Sequence, residues 1–140
     1  MFSISINGSL VGFFKRARDV MQRDPLSPYL FVIGMNVLSR MLDAAASHGV
    51  FSFHPKCKKI MLTHLCFADD LLIFTKVNLE SILGIQTIMK QFYLFSRLQL
   101  NNAKCKLFSS GISRASLGEI HELTGFKLGT LPVRYLRVPL

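Results

Sequence analysis

Two short apolar runs that flank a polar tripeptide constrain the fold of this chain more than any other feature of its sequence. The runs span residues 60–67 and 71–75, and Ala68-Asp69-Asp70 separates them. Runs of this length that are rich in β-branched and aromatic residues predict strands, and a polar tip between two such strands predicts a hairpin. We therefore expect strands near residues 61–67 and 71–75, with both aspartates at or beside the turn.

Longer amphipathic patterns lie on either side of this hairpin. Apolar residues recur at spacings of three and four over residues 29–42, after the start signal Ser27-Pro28 and before Gly49. Ser27 is the expected N-cap of this helix, and Gly49 is the expected C-cap. A second long helix is expected to begin after its cap, Asn78, and a third, shorter helix is predicted over residues 114–124.

Short strand signals complete the pattern. Asn7-Gly8, a strong hairpin-turn signal, separates residues 2–6 from the return strand 10–14. Further short strands are predicted near Gln99, over 106–109 and over 133–138, the last one stopped by Pro139. Strands and helices that mix without a regular βαβ alternation predict an α+β fold. No linker, repeat or low-complexity segment divides the chain, so we treat residues 1–140 as one domain.

The composition excludes some classes of protein. Half of the residues are hydrophobic and 18% are charged, which excludes a wholly disordered chain. The 17 Lys and Arg against 8 Asp and Glu give a net charge of +9 and suggest an anionic partner, either a nucleic acid or a membrane surface. No uncharged apolar run approaches the roughly 18 residues that a membrane span needs. Three cysteines without a disulfide-framework spacing favour a reducing, intracellular setting.

The adjacent carboxylates of Asp69 and Asp70 are the residues best suited to chemistry. Two carboxylates this close repel each other unless a cation lies between them, and Mg²⁺ takes one or two carboxylates while water and substrate phosphates complete its shell. A pair of such ions can clamp the attacking and leaving oxygens of a phosphoryl transfer. The alternative is a simple polar turn, which Asp also favours.

Four boxes, in order, resemble the reverse transcriptases of plant LINE-type (non-LTR) retrotransposons. Residues 18–31, which contain Gln22-Arg23-Asp24-Pro25-Leu26-Ser27-Pro28, resemble motif B of the palm in that family. Residues 62–75, which contain Phe67-Ala68-Asp69-Asp70, resemble the Phe-Ala-Asp-Asp form of motif C. Two further boxes, residues 96–106 and residues 131–140, are similar to motif D and to a motif E segment that reads Leu-Pro-Val-Arg-Tyr-Leu-Gly-Val-Pro-Leu in the family.

The resemblance implies a partial polymerase palm, with fingers and thumb missing, from an enzyme that performs RNA-directed DNA synthesis by metal-dependent nucleotidyl transfer. By position, Asp69 and Asp70 would be the catalytic residues and the ligands of Mg²⁺. Substrate-binding roles would fall on Gln22, Asp24, Pro25, Ser27, Pro28, Phe67 and Lys104. The implied partners are an RNA template, a DNA primer and a deoxynucleoside triphosphate, with no membrane, and the implied location is intracellular, in the nucleus.

The departures from the family pattern bear on activity. In the family, motif A carries another catalytic aspartate, upstream of the strands that open this chain. No counterpart of that aspartate is found in the sequence from Met1 onward. Family glycines are replaced at four positions, namely Asp19, Arg23, Arg97 and Arg137, and a family arginine is Met21. Because glycine marks a positive φ or a close backbone approach, bulky residues there indicate relaxed selection. An added phosphate contact is the alternative explanation of Arg23.

These observations predict a degenerate fragment that is inactive alone. Two alternatives stay open: a non-catalytic remnant that binds nucleic acid, and a retrotransposon relic without function. Among lesser candidates, His54, Cys57, His64 and Cys66 carry zinc-capable atoms at a spacing that matches no standard finger. The lysines of residues 54–59 are expected to form a solvated loop, and Phe67 is expected in the core of the hairpin.

Overall fold

The structure, a computed structural model, describes residues 2–6, 9–14, 25–101, 103–135 and 138–139. Within these residues it has three α-helices, mostly antiparallel strand pairs and one parallel pair, which confirms the predicted α+β class. The chain divides into two compact units, Met1–Met35 and Asn36–Leu140. The candidate chemistry lies in the second unit, because that unit contains the Asp69-Asp70 pair.

The first unit opens with the predicted hairpin. Strands β1 (Phe2–Ile6) and β2 (Ser9–Phe14) pair antiparallel, and the register shifts between Ser3 and Ile4 as in a β-bulge. The expected turn residues Asn7 and Gly8 lie outside the described residues.

Helix α1 (Ser27–Ser47) begins at the residue that we expected to cap it. At the other end, Gly49 adopts a left-handed conformation with φ of +75°, and the Val50 amide donates to the Ala45 carbonyl at 2.9 Å. This pair of features is the Schellman arrangement, in which a glycine after the last turn satisfies the free carbonyls of the helix. The predicted C-cap is confirmed.

Helices α2 (Leu79–Ser96) and α3 (Arg114–Thr124) are also capped as predicted. The Asn78 side chain accepts a hydrogen bond from the Ser81 amide at 3.0 Å, and the Ser113 hydroxyl accepts one from the Ser116 amide at 3.2 Å. Side-chain oxygens at this position satisfy amides that have no partner within the first helical turn.

The core of the second unit is built from the C-terminal half of α1, the segment that follows it, α2 and α3. Its buried apolar side chains are Leu38, Leu42, Ala45, Ala46, Phe51, Ile82, Ile85, Ile88, Phe92 and Ile120. The chain after α1 approaches α2 at Gly84, where an added Cβ would collide with the carbonyl oxygen of Val50. Close packing at this point therefore requires a glycine, which has no Cβ.

Helix α1 is the one helix among the described residues that is long and apolar enough to cross a membrane. It contains Arg40 and Asp43, so it is not an uncharged apolar run. Its buried residues belong to the core described above, and a core helix of a folded protein meets the same criteria of length and hydropathy.

The predicted central hairpin is present, with shorter strands. Strands β3 (His64–Phe67) and β4 (Asp70–Ile73) pair antiparallel, with Phe67 opposite Asp70. We expected the first strand from about residue 61, but a 3₁₀-helix occupies Lys58–Ile60, and Met61 follows it with a left-handed φ of 51°. The chain therefore becomes extended only after this turn.

The C-terminal strands differ most from the prediction. Strands β5 (Lys106–Leu107) and β6 (Lys127–Leu128) pair in parallel, and β7 (Arg134–Tyr135) and β8 (Val138–Pro139) pair antiparallel. The expected single strand over 133–138 is therefore wrong: the segment pairs with itself, and Pro139 lies within β8. The strand expected near Gln99 is also wrong, because residues 97–101 have no strand alongside them among the described residues.

Candidate active site

The turn of the β3–β4 hairpin presents both candidate carboxylates to solvent. Ala68 and Asp69 form its two turn residues, and Ala68 has a φ of 50°. Asp70 is the first residue of β4, and both aspartates are exposed. Neither carboxylate forms a hydrogen bond or an ion pair with any residue that the structure describes. We call Asp69 and Asp70 the tip of the hairpin.

Among the described residues, the tip offers a cation two carboxylates and no third protein ligand. Within the described ranges, no group of three or more His, Cys, Asp or Glu side chains could hold a metal ion. Two unpaired carboxylates suit Mg²⁺, because this ion is commonly bound by one or two carboxylates and completes its octahedron with water and phosphate oxygens. The donor set therefore fits part of a magnesium site.

The other end of the hairpin is held by a chain of hydrogen bonds, which we call the root network. Thr63 is buried, and its hydroxyl donates to Asp43 on α1 at 2.5 Å. His64, whose side chain is 11% exposed, places Nδ1 at 2.7 Å from the Thr63 hydroxyl and Nε2 at 2.8 Å from the Ser39 hydroxyl. Since Ser39 and Asp43 are four residues apart, they lie on one face of the helix.

The root network fixes the tautomer of His64. A carboxylate only accepts hydrogen bonds, so the single proton of the Thr63 hydroxyl goes to Asp43. The Thr63 oxygen then accepts from His64 Nδ1–H, and in the neutral ring the bare Nε2 accepts from the Ser39 hydroxyl. All of these hydrogen bonds run in one direction, from helix α1 through β3 and back to α1. The root network thus ties the hairpin to the helix through polar groups.

Tyr135 of β7 lies close enough to the hairpin to interact electrostatically with Cys66 and Asp70. Burial raises the pKa of the Tyr135 hydroxyl, and the negative charges of the Cys66 thiolate and the Asp70 carboxylate raise it further. The hydroxyl oxygen is buried and has no hydrogen-bond partner among the described residues. This proximity was not predictable from the sequence, because it depends on how the C-terminal segment folds back toward β3 and β4.

Phe67 does not lie in the core of the hairpin. Its side chain is 60% exposed at the end of β3, so the prediction that it is buried is wrong. Among the described strands the hairpin is two strands wide, and Phe67 is the last residue of β3, next to the exposed turn. Phe67 is nevertheless the residue next to the tip, and its substrate-binding role stays a prediction.

The other predicted substrate-binding residues are spread over the chain. Gln22 and Asp24 lie outside the described residues. Pro25, Ser27 and Pro28 belong to the first unit, at the start of α1. Lys104 belongs to the second unit, where it is exposed in a turn closed by its amide and the Asn101 carbonyl at 2.9 Å.

The zinc-capable residues have other partners. His64 belongs to the root network, and Nδ1 of His54 accepts a hydrogen bond from the Lys56 amide at 3.3 Å. Burial raises the pKa of the Cys66 thiol, which disfavours the thiolate that zinc requires. Lys56, Lys58 and Lys59 are exposed, as a solvated loop requires.

One of the glycine replacements lies on described residues. Arg97 ends α2 in the left-handed conformation, with φ of 61°, and its amide donates to the Tyr93 carbonyl. Its guanidinium carbon lies 5.9 Å from the centroid of the Tyr93 ring, within the range of a cation–π interaction. The position therefore uses a backbone conformation that glycine adopts most easily. Asp19, Met21, Arg23 and Arg137 lie outside the described residues.

Known proteins resemble this chain at the level of the family. The family signature described as reverse transcriptase (RNA-dependent DNA polymerase) matches residues 1–140. The chain is also similar to a protein of Arabidopsis thaliana named an uncharacterized mitochondrial protein, with 38% identity over 66 residues. That alignment covers 46% of this chain and 54% of the relative, so the chain spans about half the length of this curated relative. No solved structure matches the chain significantly.

Proposed function

The chain belongs to the reverse transcriptase (RNA-dependent DNA polymerase) family, and we propose that its β3–β4 hairpin supplies the carboxylates of a nucleotidyl-transfer site. The tip carries this proposal: two adjacent aspartates, exposed and without protein partners among the described residues, at the end of a two-residue turn. Carboxylates that accept no hydrogen bond from a described residue keep their oxygens open to a cation.

In this reaction a primer 3′-hydroxyl attacks the α-phosphate of a deoxynucleoside triphosphate on an RNA template, and pyrophosphate leaves. Bound Mg²⁺ would neutralise the charge that develops on the transferred phosphoryl group. Asp69 and Asp70 would hold it, and the root network would keep the hairpin in place on α1. Pro25, Ser27 and Pro28 would shape the nucleotide and template contact, and Lys104 would lie near the leaving pyrophosphate.

We propose further that the chain derives from a plant LINE-type retrotransposon. The proposal is supported by the order and the residues of the motif-like segments 18–31, 62–75, 96–106 and 131–140. The nucleus is then the place where the intact enzyme works. The 140-residue chain alone is proposed to be inactive, because a two-metal site needs carboxylates from more than one segment. Asp43, the carboxylate nearest to the hairpin root, accepts a hydrogen bond from Thr63 instead.

A primer-extension assay tests this proposal. Purified chain is incubated with a primed RNA template, deoxynucleoside triphosphates and Mg²⁺, beside the Asp69→Ala variant. We expect no extension above background for either protein. Extension by the wild-type chain that disappears in Asp69→Ala would overturn the proposed inactivity and support the catalytic role of the tip.

A separate measurement tests the tip itself. Electron paramagnetic resonance of Mn²⁺, a substitute for Mg²⁺, reports binding without requiring activity. We expect weak binding that decreases at least tenfold in the double variant Asp69→Asn with Asp70→Asn. Unchanged binding would exclude the tip as a metal site, whatever the outcome of the extension assay.

A nucleic-acid-binding role without catalysis is the second candidate, and the charge distribution favours it. Residues 44–68 contain no Asp or Glu, and in this stretch Lys56, Lys58 and Lys59 are exposed. Such a surface predicts weak binding to single-stranded nucleic acid that falls with salt concentration and survives Asp69→Ala. Titration of a labelled oligonucleotide at two salt concentrations distinguishes it, since affinity indifferent to salt would contradict it.

A further inference from the structure

One buried polar atom of the second unit has no role in the fold or in the function proposed above. The hydroxyl oxygen of Tyr135, in β7, is buried and forms no hydrogen bond with any residue that the structure describes. The other buried side-chain nitrogen and oxygen atoms of these residues have partners. A buried donor without an acceptor destabilises a folded chain, so packing alone does not account for this hydroxyl.

The Tyr135 hydroxyl lies beside the tip of the hairpin. Val133, two residues before Tyr135, lines the same cavity as Leu71, which directly follows Asp70 in β4. The segment before Tyr135 is therefore close to the start of β4. The electrostatics agree, because burial first, and then the charges of Cys66 and Asp70, raise the pKa of the Tyr135 hydroxyl. Of the two carboxylates of the tip, the hydroxyl thus interacts with that of Asp70.

Asp70 is a better acceptor for this hydroxyl than Cys66. A carboxylate accepts hydrogen bonds on either oxygen, whereas a cysteine sulfur is a weak acceptor. The Cys66 thiol also has a partner of its own, the Ala68 carbonyl, at 3.8 Å. The Asp70 carboxylate accepts no hydrogen bond from a described residue. The chain therefore holds an unpaired donor and an unpaired acceptor close to each other.

Binding of a cation at the tip changes the balance between these two groups. Without a cation, the adjacent carboxylates of Asp69 and Asp70 repel each other, and each is favoured by contact with water. A cation held by both carboxylates removes this repulsion and fixes the Asp70 side chain. Because a carboxylate has two oxygens, one oxygen of Asp70 can hold the cation while the other accepts a hydrogen bond from the Tyr135 hydroxyl. Hydrogen bonds of this kind orient the carboxylates that bind metal ions in proteins.

We propose that Tyr135 is a positioning residue of the tip, whose hydroxyl donates a hydrogen bond to Asp70 and so orients this carboxylate toward a bound divalent cation. The inference rests on the proposed function, since it requires a cation at the tip. Tyr135 touches neither the cation nor a substrate in this arrangement and acts through Asp70. The hydroxyl that is unpaired in the cation-free chain then gains its acceptor when the cation binds, which favours binding.

Electron paramagnetic resonance of Mn²⁺ with the Tyr135→Phe variant of the full chain tests this role. We expect Mn²⁺ affinity to fall roughly tenfold or more, although the variant folds more stably because it buries no unpaired hydroxyl. Tyr29→Phe, at an exposed side chain, is the matched control and should change the affinity less than twofold. A merely structural residue would not lower metal affinity while the fold becomes more stable. Unchanged Mn²⁺ affinity in Tyr135→Phe would overturn the positioning role.

A double-mutant cycle on Mn²⁺ affinity assigns the hydrogen bond to one carboxylate. If the Tyr135 hydroxyl acts through Asp70, then Tyr135→Phe should cause no further loss in a chain that already carries Asp70→Asn. In a chain that carries Asp69→Asn, Tyr135→Phe should still weaken binding, because the Asp70 carboxylate remains. Equal losses in the two backgrounds would contradict the assignment to Asp70.

Tyrosine fluorescence gives a second readout, because the chain has three tyrosines and no tryptophan. A tyrosine that donates to a carboxylate emits more weakly, so Mg²⁺ should lower the emission of the wild-type chain and of Tyr29→Phe but not that of Tyr135→Phe. An equal decrease in all three proteins would contradict the proposal.

The two levels of the argument fail in different ways. Mn²⁺ binding that is unchanged when both Asp69 and Asp70 are replaced by Asn would refute the tip as a metal site, and the role of Tyr135 with it. Mn²⁺ binding that needs both aspartates but not the Tyr135 hydroxyl would refute the positioning role alone and leave the proposed function standing.

Discussion

The two ends of the β3–β4 hairpin differ in how their polar side chains are held. At the root, hydrogen bonds join Thr63 and His64 to Ser39 and Asp43 on α1. At the tip, the carboxylates of Asp69 and Asp70 are exposed and have no partner among the described residues. The hairpin is thus anchored at one end while the other end presents charge to solvent. Stability should therefore respond to changes at the root, and cation binding to changes at the tip.

The largest expected effect on stability comes from Thr63→Val at the root. Valine has the shape of threonine without the hydroxyl, so Nδ1 of His64 loses its acceptor and Asp43 loses a donor. We expect the free energy of unfolding, measured by urea denaturation, to fall by about 2 kcal/mol.

Thr87→Val is the matched control, because Thr87 lies on the exposed face of α2 and bonds only to the Leu83 carbonyl. We expect this change to cost less than about 0.5 kcal/mol. A loss as large as that of Thr63→Val would show that the root network adds nothing specific.

A smaller effect, of opposite sign, is expected from Tyr135→Phe near the tip. The Tyr135 hydroxyl is buried without a partner, so removing it should raise the free energy of unfolding at pH 7 by about 1 kcal/mol. Tyr29→Phe, at a side chain that is 71% exposed, is the control and should be neutral.

The same residue makes stability depend on alkaline pH. Burial raises the pKa of Tyr135 in the folded state, so the unfolded chain releases this proton at lower pH than the folded chain does. The stability that this pKa difference contributes is fully present below the ordinary tyrosine pKa of about 10. It is lost as pH rises from there through the raised pKa of Tyr135. Denaturation curves at pH 9 and pH 11 should show a larger loss in the wild-type chain than in Tyr135→Phe. Equal losses would contradict the raised pKa.

The smallest effect on stability is expected at the tip itself. Asp69→Asn and Asp70→Asn should each change the free energy of unfolding by less than about 0.5 kcal/mol, because neither carboxylate has a partner to lose. The same variants should weaken Mn²⁺ binding, whereas Asp43→Asn at the root should leave it unchanged. A large loss of stability at the tip would erase the distinction between the two ends.

The tip could be predicted from the sequence because its cause is local. Two apolar runs and a polar tripeptide determine a hairpin within some fifteen residues, and the caps at Asn78, Ser113 and Gly49 likewise depend on near neighbours. The exposure of Phe67 was not predictable in this way, because it depends on which distant parts of the chain pack against the end of the hairpin.

The root network and Tyr135 could not be predicted, because their contacts join distant parts of the chain. Ser39 and His64 are separated by 25 residues, and neither lies in a motif with a known partner spacing. The failed strand near Gln99 has a related cause: a strand exists only where a second strand pairs with it, and local β propensity does not reveal that partner. A pattern of neighbouring residues does not identify a partner strand elsewhere in the chain.

The close approach at Gly84 has a consequence for the history of the gene. Every amino-acid substitution of a glycine introduces a side chain, and at this position its Cβ would meet the Val50 carbonyl. Gly118 of α3 has open space around it, so the same change there is harmless to packing. Copies of this gene that still encode a folded protein should therefore retain the Gly84 codon and drift at the Gly118 codon. Copies that are mere relics should accumulate substitutions at both codons at the same rate.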